Sequence, residues 1–271
     1  MDSSGSHAAI TLAHVSVRHG DRRVLSVPAL RFGATGMTAI LGQNGSGKST
    51  LMRIAAGQLK PSEGTARLGD DPILSFSTRR LAQRLAYLPQ HLEPVQGMRV
   101  RELATLGRYA WRGALGRHTE ADRAAVDTAL AQCGCTDMAD APVSHLSGGE
   151  CQRAWIAMLL AQQAPTLLLD EPISALDISH QLAVLDILRS HSVSVGQSCI
   201  VVLHDINLAC HYADRIIVLD RGEIAFDGEP RALLESNTLP RLFNAPFALL
   251  HHPGRSLPVV SPLPDTTACA S

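Results

Sequence analysis

The stretch Gly42-Gln43-Asn44-Gly45-Ser46-Gly47-Lys48-Ser49-Thr50 has the residue types and spacing to hold a chain of phosphates. It follows the apolar run 37–41 and precedes 51–56, which reads as a helix, so strand, glycine loop and helix succeed one another. The glycines let backbone N–H groups curl around an anion with no Cβ in the way. The helix that starts at the loop adds the positive end of its dipole. Lys48 is placed to neutralise β- and γ-phosphates, and the Ser49 hydroxyl to help hold Mg²⁺. Arginine serves at almost every other cationic position, yet the loop carries lysine. A compact ammonium fits inside a tight loop where a guanidinium fork does not. An ordinary glycine turn would explain the glycines alone.

A second set of chemical groups falls at the ends of other apolar runs. Thr166 to Leu169 reads as a buried strand, and Asp170-Glu171-Pro172 follows it directly. In open α/β sheets ligands bind outside the carboxyl ends of strands, the edge from which the phosphate loop also leaves. Asp170 is then placed to hold Mg²⁺ through water opposite Ser49. Glu171, one residue further on, is placed to polarise an attacking water. His204-Asp205 repeats this placement after the run 199–203, where the imidazole would contact a γ-phosphate or orient the water. Gln90 ends the segment 85–88 and offers a neutral side chain to Mg²⁺ or water; alone it is a weak signal.

A third feature is Leu146-Ser147-Gly148-Gly149-Glu150, which opens a helix running to Gln163. Ser147 with Glu150 three residues later is a capping-box pattern. The two glycines leave the remaining N–H groups open to close approach by a phosphate. A well-capped helix with no ligand fits the same residues. If this helix belongs to an insertion, it stands apart from its own phosphate loop, and a γ-phosphate would reach it only across a dimer.

These residues must be positioned by a sheet. Residues 9–18 alternate as a half-buried strand, and 24–32 form a second strand that Pro28 is expected to break. Between about 98 and 163, the stretches 100–109, 120–133 and 150–163 read as helices, a helical insertion between two parts of a sheet. The continuous apolar runs 166–169 and 199–203 fit a parallel sheet covered on both faces, with a helix over 178–189 between them. Residues 215–219 and 223–226 form a hairpin through Asp220-Arg221-Gly222, and beyond Pro240 the pattern carries no information.

Composition narrows the class. The chain has 271 residues, 45% hydrophobic and 18% charged, with a net charge of -1 that gives no support to nucleic-acid binding. No apolar run approaches the ~20 residues that cross a bilayer. Met1 to His7 is polar and lacks the regions of a secretory signal. The six cysteines form neither a disulfide framework nor zinc-ligand spacing, as expected of reduced cytoplasmic thiols.

Taken together, Gly42 to Thr50, Gln90, Leu146 to Glu150, Leu169 to Pro172, Ser174-Ala175-Leu176-Asp177 and His204 resemble the motif set of an ATP-binding cassette ATPase, over roughly residues 8 to 250. The resemblance implies an α/β, P-loop NTPase (RecA-like) core, about 8–95 and 164–240. It also implies an antiparallel β subdomain, an inserted α-helical subdomain at about 96–163, and a tail from 241. It implies ATP and Mg²⁺ as ligands. Two copies would close head to tail, so that Ser147, Gly148, Gly149 and Glu150 of one complete the site of the other, with Asp177 also at the nucleotide.

Residues 80–90, 107–117, 150–159 and 176–181 resemble the importers of iron–siderophores, haem and cobalamin, and 107–117 in particular the ferric hydroxamate (ferrichrome) uptake ATPases. This implies a peripheral subunit on the cytoplasmic face of a bacterial inner membrane. Its partners would be an integral permease and, indirectly, a substrate-binding protein. A soluble cassette ATPase without a permease is the alternative, though that class usually has long coiled coils or paired cassettes.

Three positions depart from the pattern. His19 stands where the family stacks an aromatic on adenine, and an imidazole stacks more weakly. Cys151 replaces the usual glutamine or arginine, and Ile173 the usual threonine.

Overall fold

A computed structural model describes residues 9–93, 95–113, 116–251, 253–254 and 256–263. The polar start 1–7, residues 114–115 of the 107–117 stretch and the end of the tail lie outside them. In chain order the elements are β1 (Ile10–His19), β2 (Arg22–Arg31), β3 (Gly36–Gly42), α1 (Lys48–Ala55), β4 (Glu63–Leu68), β5 (Asp71–Pro72), α2 (Thr78–Ala82) and β6 (Leu85–Leu88). A helical block follows, α3 (Val100–Leu106), α4 (Tyr109–Arg112), α5 (Glu120–Gln132) and α6 (Gly148–Ala161). The chain then returns to alternation with β7 (Thr166–Leu169), α7 (Ile178–Val195), β8 (Ser198–Val202), α8 (Ile206–Tyr212), β9 (Arg215–Asp220) and β10 (Glu223–Gly228). It ends in α9 (Pro230–Glu235), α10 (Thr238–Phe243), β11 (Phe247–Leu250) and β12 (Val259–Pro262).

The central sheet has the order β10-β9-β3-β8-β7-β6, parallel from β9 to β6, with β10 antiparallel at one edge. Its parallel strands are largely buried on both faces, and alternate residues feed two cores. Met37, Ala39, Leu41, Leu167, Leu169, Cys199 and Val201 pack with the helical block, α7 and α8. Ile40, Leu168, Ile200, Val202, Ile217 and Leu219 pack with α1 and the four-stranded antiparallel sheet β2-β1-β4-β5. The period of two along each strand thus divides one apolar run between two hydrophobic layers.

The helical block is anchored by a buried ion pair. Arg108 Nε donates to Asp122 Oδ1 at 2.8 Å, with both side chains under 8% exposed. Arg108 Nη1 also donates to the Ala161 carbonyl at the end of α6 and to Gln163 Oε1, both at 2.9 Å. The Thr119 N–H first, then Arg108, hold the Asp122 carboxyl well below the usual carboxylate range.

Two expectations are corrected. Pro28 does not break β2, because β2 is an edge strand, where the missing N–H costs no ladder bond. It lies opposite His14, whose φ of 52° marks an irregularity in β1. α7 continues past Arg189 to Val195 and stops at Gly196, which takes the left-handed conformation of a helix end. After Pro240, where the sequence pattern carries no information, the described residues include β11 and β12, and Leu242 of α10 and Val260 of β12 are both buried in the core. Both amide atoms of Asn207 on α8 bond the Val260 backbone, at 3.0 and 2.7 Å.

Candidate functional site

Four neighbouring parallel strands, β3, β8, β7 and β6, end at the same edge and release the phosphate loop, His204, Asp170-Glu171 and Gln90 there. This adjacency brings together residues far apart in sequence. Asn44, Lys48, Ser49, Gln90, Glu171 and His204 line one cavity of about 550 Å³.

The loop is built to receive an anion. Gly42 leaves β3 with φ 153°, and a Cβ there would lie 2.4 Å from the Leu219 carbonyl and 2.5 Å from Ser46 Oγ. Gly47 caps α1 with φ 100° and no side-chain cap, and the first turn of α1 holds no acid. Its first N–H groups are therefore open to a ligand. Ser46 Oγ is buried without a partner. Lys48, 5% exposed, curls over the loop and donates to the carbonyls of Gly42 and Gln43 at 2.9 and 3.0 Å. Burial lowers its pKa, while Glu171 and Asp170 push it back up. A bare cradle, an orphaned hydroxyl and a buried ammonium match a phosphate chain.

Opposite the loop stand two carboxylates in different surroundings. Asp170 Oδ1 accepts from Ser49 Oγ at 3.3 Å, and its backbone N–H donates to the Leu88 carbonyl at 2.9 Å. Burial raises the Asp170 pKa; the Ser49 bond opposes that shift. Burial, with the Asp170 charge beside it, also raises the Tyr87 pKa to about 12. A buried, oxygen-rich, anionic corner of this kind suits a hard divalent cation. Glu171 has φ 54°, a conformation costly for a non-glycine residue and found where function requires it. The turn aims its carboxylate between two neighbours. Gln90 Nε2 donates to Oε2 at 2.7 Å, and His204 Nε2 lies 2.8 Å from Oε1. The Glu171 side chain is 9% exposed and that of His204 42%.

The remaining predicted residues lie elsewhere. His19 lines a second cavity, of about 960 Å³, which shares Val24, Asn44 and Gly45 with the first. Gln43 and Ser46 line that second cavity as well. Ser147 to Glu150 start α6 outside both. Ser147 Oγ accepts from the Glu150 N–H at 3.4 Å, while Glu150 Oε2 accepts from the Ser147 N–H at 2.9 Å and Oγ at 2.8 Å. These bonds, the backbone one foremost, hold the Glu150 carboxyl below its usual range.

Asp177 caps α7, accepting from the His180 N–H at 3.0 Å and Ser179 Oγ at 2.9 Å, with His180 Nδ1 2.7 Å away. The His180 N–H chiefly brings its pKa down to about 2. A Cβ on Gly149 would meet the His180 ring at 2.2 Å, so the starts of α6 and α7 lock together. That contact, Val24, and the α10 residues of the second cavity were not anticipated, and no local pattern marks them. Of the departures, Ile173 is buried in the core and Cys151 packs half-buried against it.

The fold and the first cavity define a phosphate-loop nucleotide-binding ATPase. The ABC transporter family matches residues 26–174, and the chain belongs to it. The achromobactin transport ATP-binding protein of Dickeya dadantii is 37% identical over 254 residues, covering 94% of each chain. The hemin import ATP-binding protein of Nocardia farcinica is 40% identical over 243 residues, covering 89% of this chain and 83% of its own. A solved dimer of the ATP-binding cassette MJ0796, in a post-hydrolysis state with ADP and Pi, superposes with a TM-score of 0.72 at 27% identity. It covers 82% of this chain and 99% of its own.

Proposed function

We propose that this chain is the ATP-hydrolysing subunit of a bacterial importer of iron(III) chelates. One observation carries the ATPase half: Glu171, Gln90 and His204 form a hydrogen-bonded group facing Lys48 and Ser49 across a single cavity. The loop N–H groups and Lys48 bind the phosphates, and Gly42 to Thr50 surround them. Ser49, Asp170 and Gln90 would hold Mg²⁺, which when bound neutralises charge on the transferring phosphoryl group. Water attacks the γ-phosphorus in line as the bond to the bridging oxygen breaks; Glu171 accepts the water's proton, oriented by Gln90 and His204. His204 is also within reach of a terminal phosphate.

Ser147 to Glu150 line neither cavity of their own chain, which supports a head-to-tail pair in which they and Asp177 act on the partner's nucleotide. The dimeric cassette supports the same reading. Among the described residues no helix is long and apolar enough to cross a membrane. The transport and import names of the relatives support an integral permease as partner and a peripheral place at the inner membrane; a substrate-binding protein would deliver the cargo to that permease. The block α3–α6 between β6 and β7 supports taking 96–163 as the subdomain that passes motion to the permease. Residues 107–117 favour a ferric hydroxamate as cargo, and the hemin importer keeps haem as the rival.

Glu171→Gln is expected to keep ATP affinity while steady-state phosphate release falls at least a hundredfold. Turnover at the wild-type rate would remove Glu171 from the reaction. Deleting the gene should abolish growth on a ferric hydroxamate as iron source; loss of growth on haem alone would reassign the cargo.

A further inference from the structure

The first cavity orients any nucleotide within it. Gln90, Glu171 and His204 line the first cavity and not the second, so the terminal phosphate belongs with them and the rest of the molecule extends the other way. The other way leads past Val24, Asn44 and Gly45 into the second cavity. His19 lines that space, and so do residues from beyond position 240: Arg241, Leu242 and Asn244. α10 is fastened to the phosphate loop itself, because Gln43 Nε2 donates to the Leu242 carbonyl. Asn244 ends the helix there in the left-handed conformation (φ 49°), leaving Arg241 in the last turn beside the cavity. Arg241 has no carboxylate partner among the described residues, and neither have Arg22 and Arg221 on the same rim. By contrast Arg23 is paired with Glu223 at 2.7 Å. Arg221 keeps a φ of 48° in its turn, an uncommon conformation for arginine.

Resting on the nucleotide reading above, we propose that the base of ATP lies in the second cavity between His19 and α10, with the Arg241 guanidinium against its face. A guanidinium is planar and weakly hydrated, and stacks on aromatic rings where an ammonium does not. It supplies the stacking area that an imidazole at position 19 has less of. The segment after residue 240 is then part of the nucleotide site, and Arg241 is a binding residue for the base.

The test compares ATP with inorganic tripolyphosphate, each with Mg²⁺, by titration calorimetry on the full chain. Arg241→Ala is expected to weaken ATP about tenfold and leave tripolyphosphate unchanged. Arg241→Lys keeps the charge and the helix, so it serves even if the alanine variant fails to fold; it should still lose ATP affinity severalfold. Wild-type ATP affinity in Arg241→Lys, or equal weakening of both ligands in Arg241→Ala, overturns the proposal. Lys48→Ala is the control and should weaken both ligands. If it binds both as the wild type does, the nucleotide reading fails, and the base site with it.

Discussion

Two helices of this chain start at a glycine, α1 with Gly47 as its cap and α6 with Gly148 as its first residue, and their starts are finished in opposite ways. α1 opens on Gly47 with no capping side chain, an orphaned Ser46 hydroxyl and a buried lysine beside it. α6 opens on Gly148 and is capped twice, by Ser147 and Glu150, and its far end is bonded by Arg108. A helix start left open binds strongly to whatever anion satisfies it; one already satisfied is positioned but needs no ligand to be stable. Within one chain, then, α1 is the half of the site that binds and α6 the half that waits for a second copy.

The largest expected effect is on what holds α6. Arg108→Ala strands the buried Asp122 and frees the Ala161 carbonyl, and is expected to cost about 3–5 kcal/mol in urea unfolding. Asp122 adds a pH signature. Its folded pKa is depressed, so the pair's contribution is complete above about pH 4 and is lost as pH falls toward the folded value. The gap in urea midpoint between wild type and Asp122→Asn should therefore narrow below pH 4.

Lys48→Ala removes the buried cation from α1 and should weaken ATP at least tenfold by calorimetry on the isolated chain. In the same assay Ser147→Ala should bind ATP normally. If the two variants lose equal affinity, the division between a binding helix and a waiting helix is wrong. Gly149→Ala drives a methyl into the His180 ring and should lower dimer turnover several-fold with ATP affinity intact. His180→Ala should restore part of that loss, a coupling that a double-mutant cycle would measure. Smallest is the cap itself: Ser147→Ala should cost about 1 kcal/mol of stability by thermal unfolding.

Much of this site was legible because chemistry dictates residue type. A phosphate cradle needs glycines and a lysine, and acids at the ends of buried strands are conspicuous against apolar runs. The two-core sheet was likewise written into the continuous apolar stretches 37–41, 166–169 and 199–203. Contacts between distant segments were not legible: nothing near Gly149 announces His180, and the spacing of Arg108 and Asp122 names no partner. Pro28 reads as a breaker because its strand's place at an edge is a property of the whole sheet. α10 and the β11–β12 pair are too short, and the chain between them too interrupted by proline, to declare themselves; Leu242 and Val260 take their order from the core they enter. The end of α7 did carry a local signal, Gly196.

Asn207 gives the far end of the chain a practical importance. Its amide holds the Val260 backbone from both sides, much as a neighbouring strand would, and its helix begins two residues after His204. A recombinant protein shortened to residue 240 would carry every residue lining the first cavity. It would nonetheless lose both bonds of that amide to the Val260 backbone, leaving the amide to water, and uncover the apolar surface beneath. Affinity tags on this ATPase belong beyond Pro262.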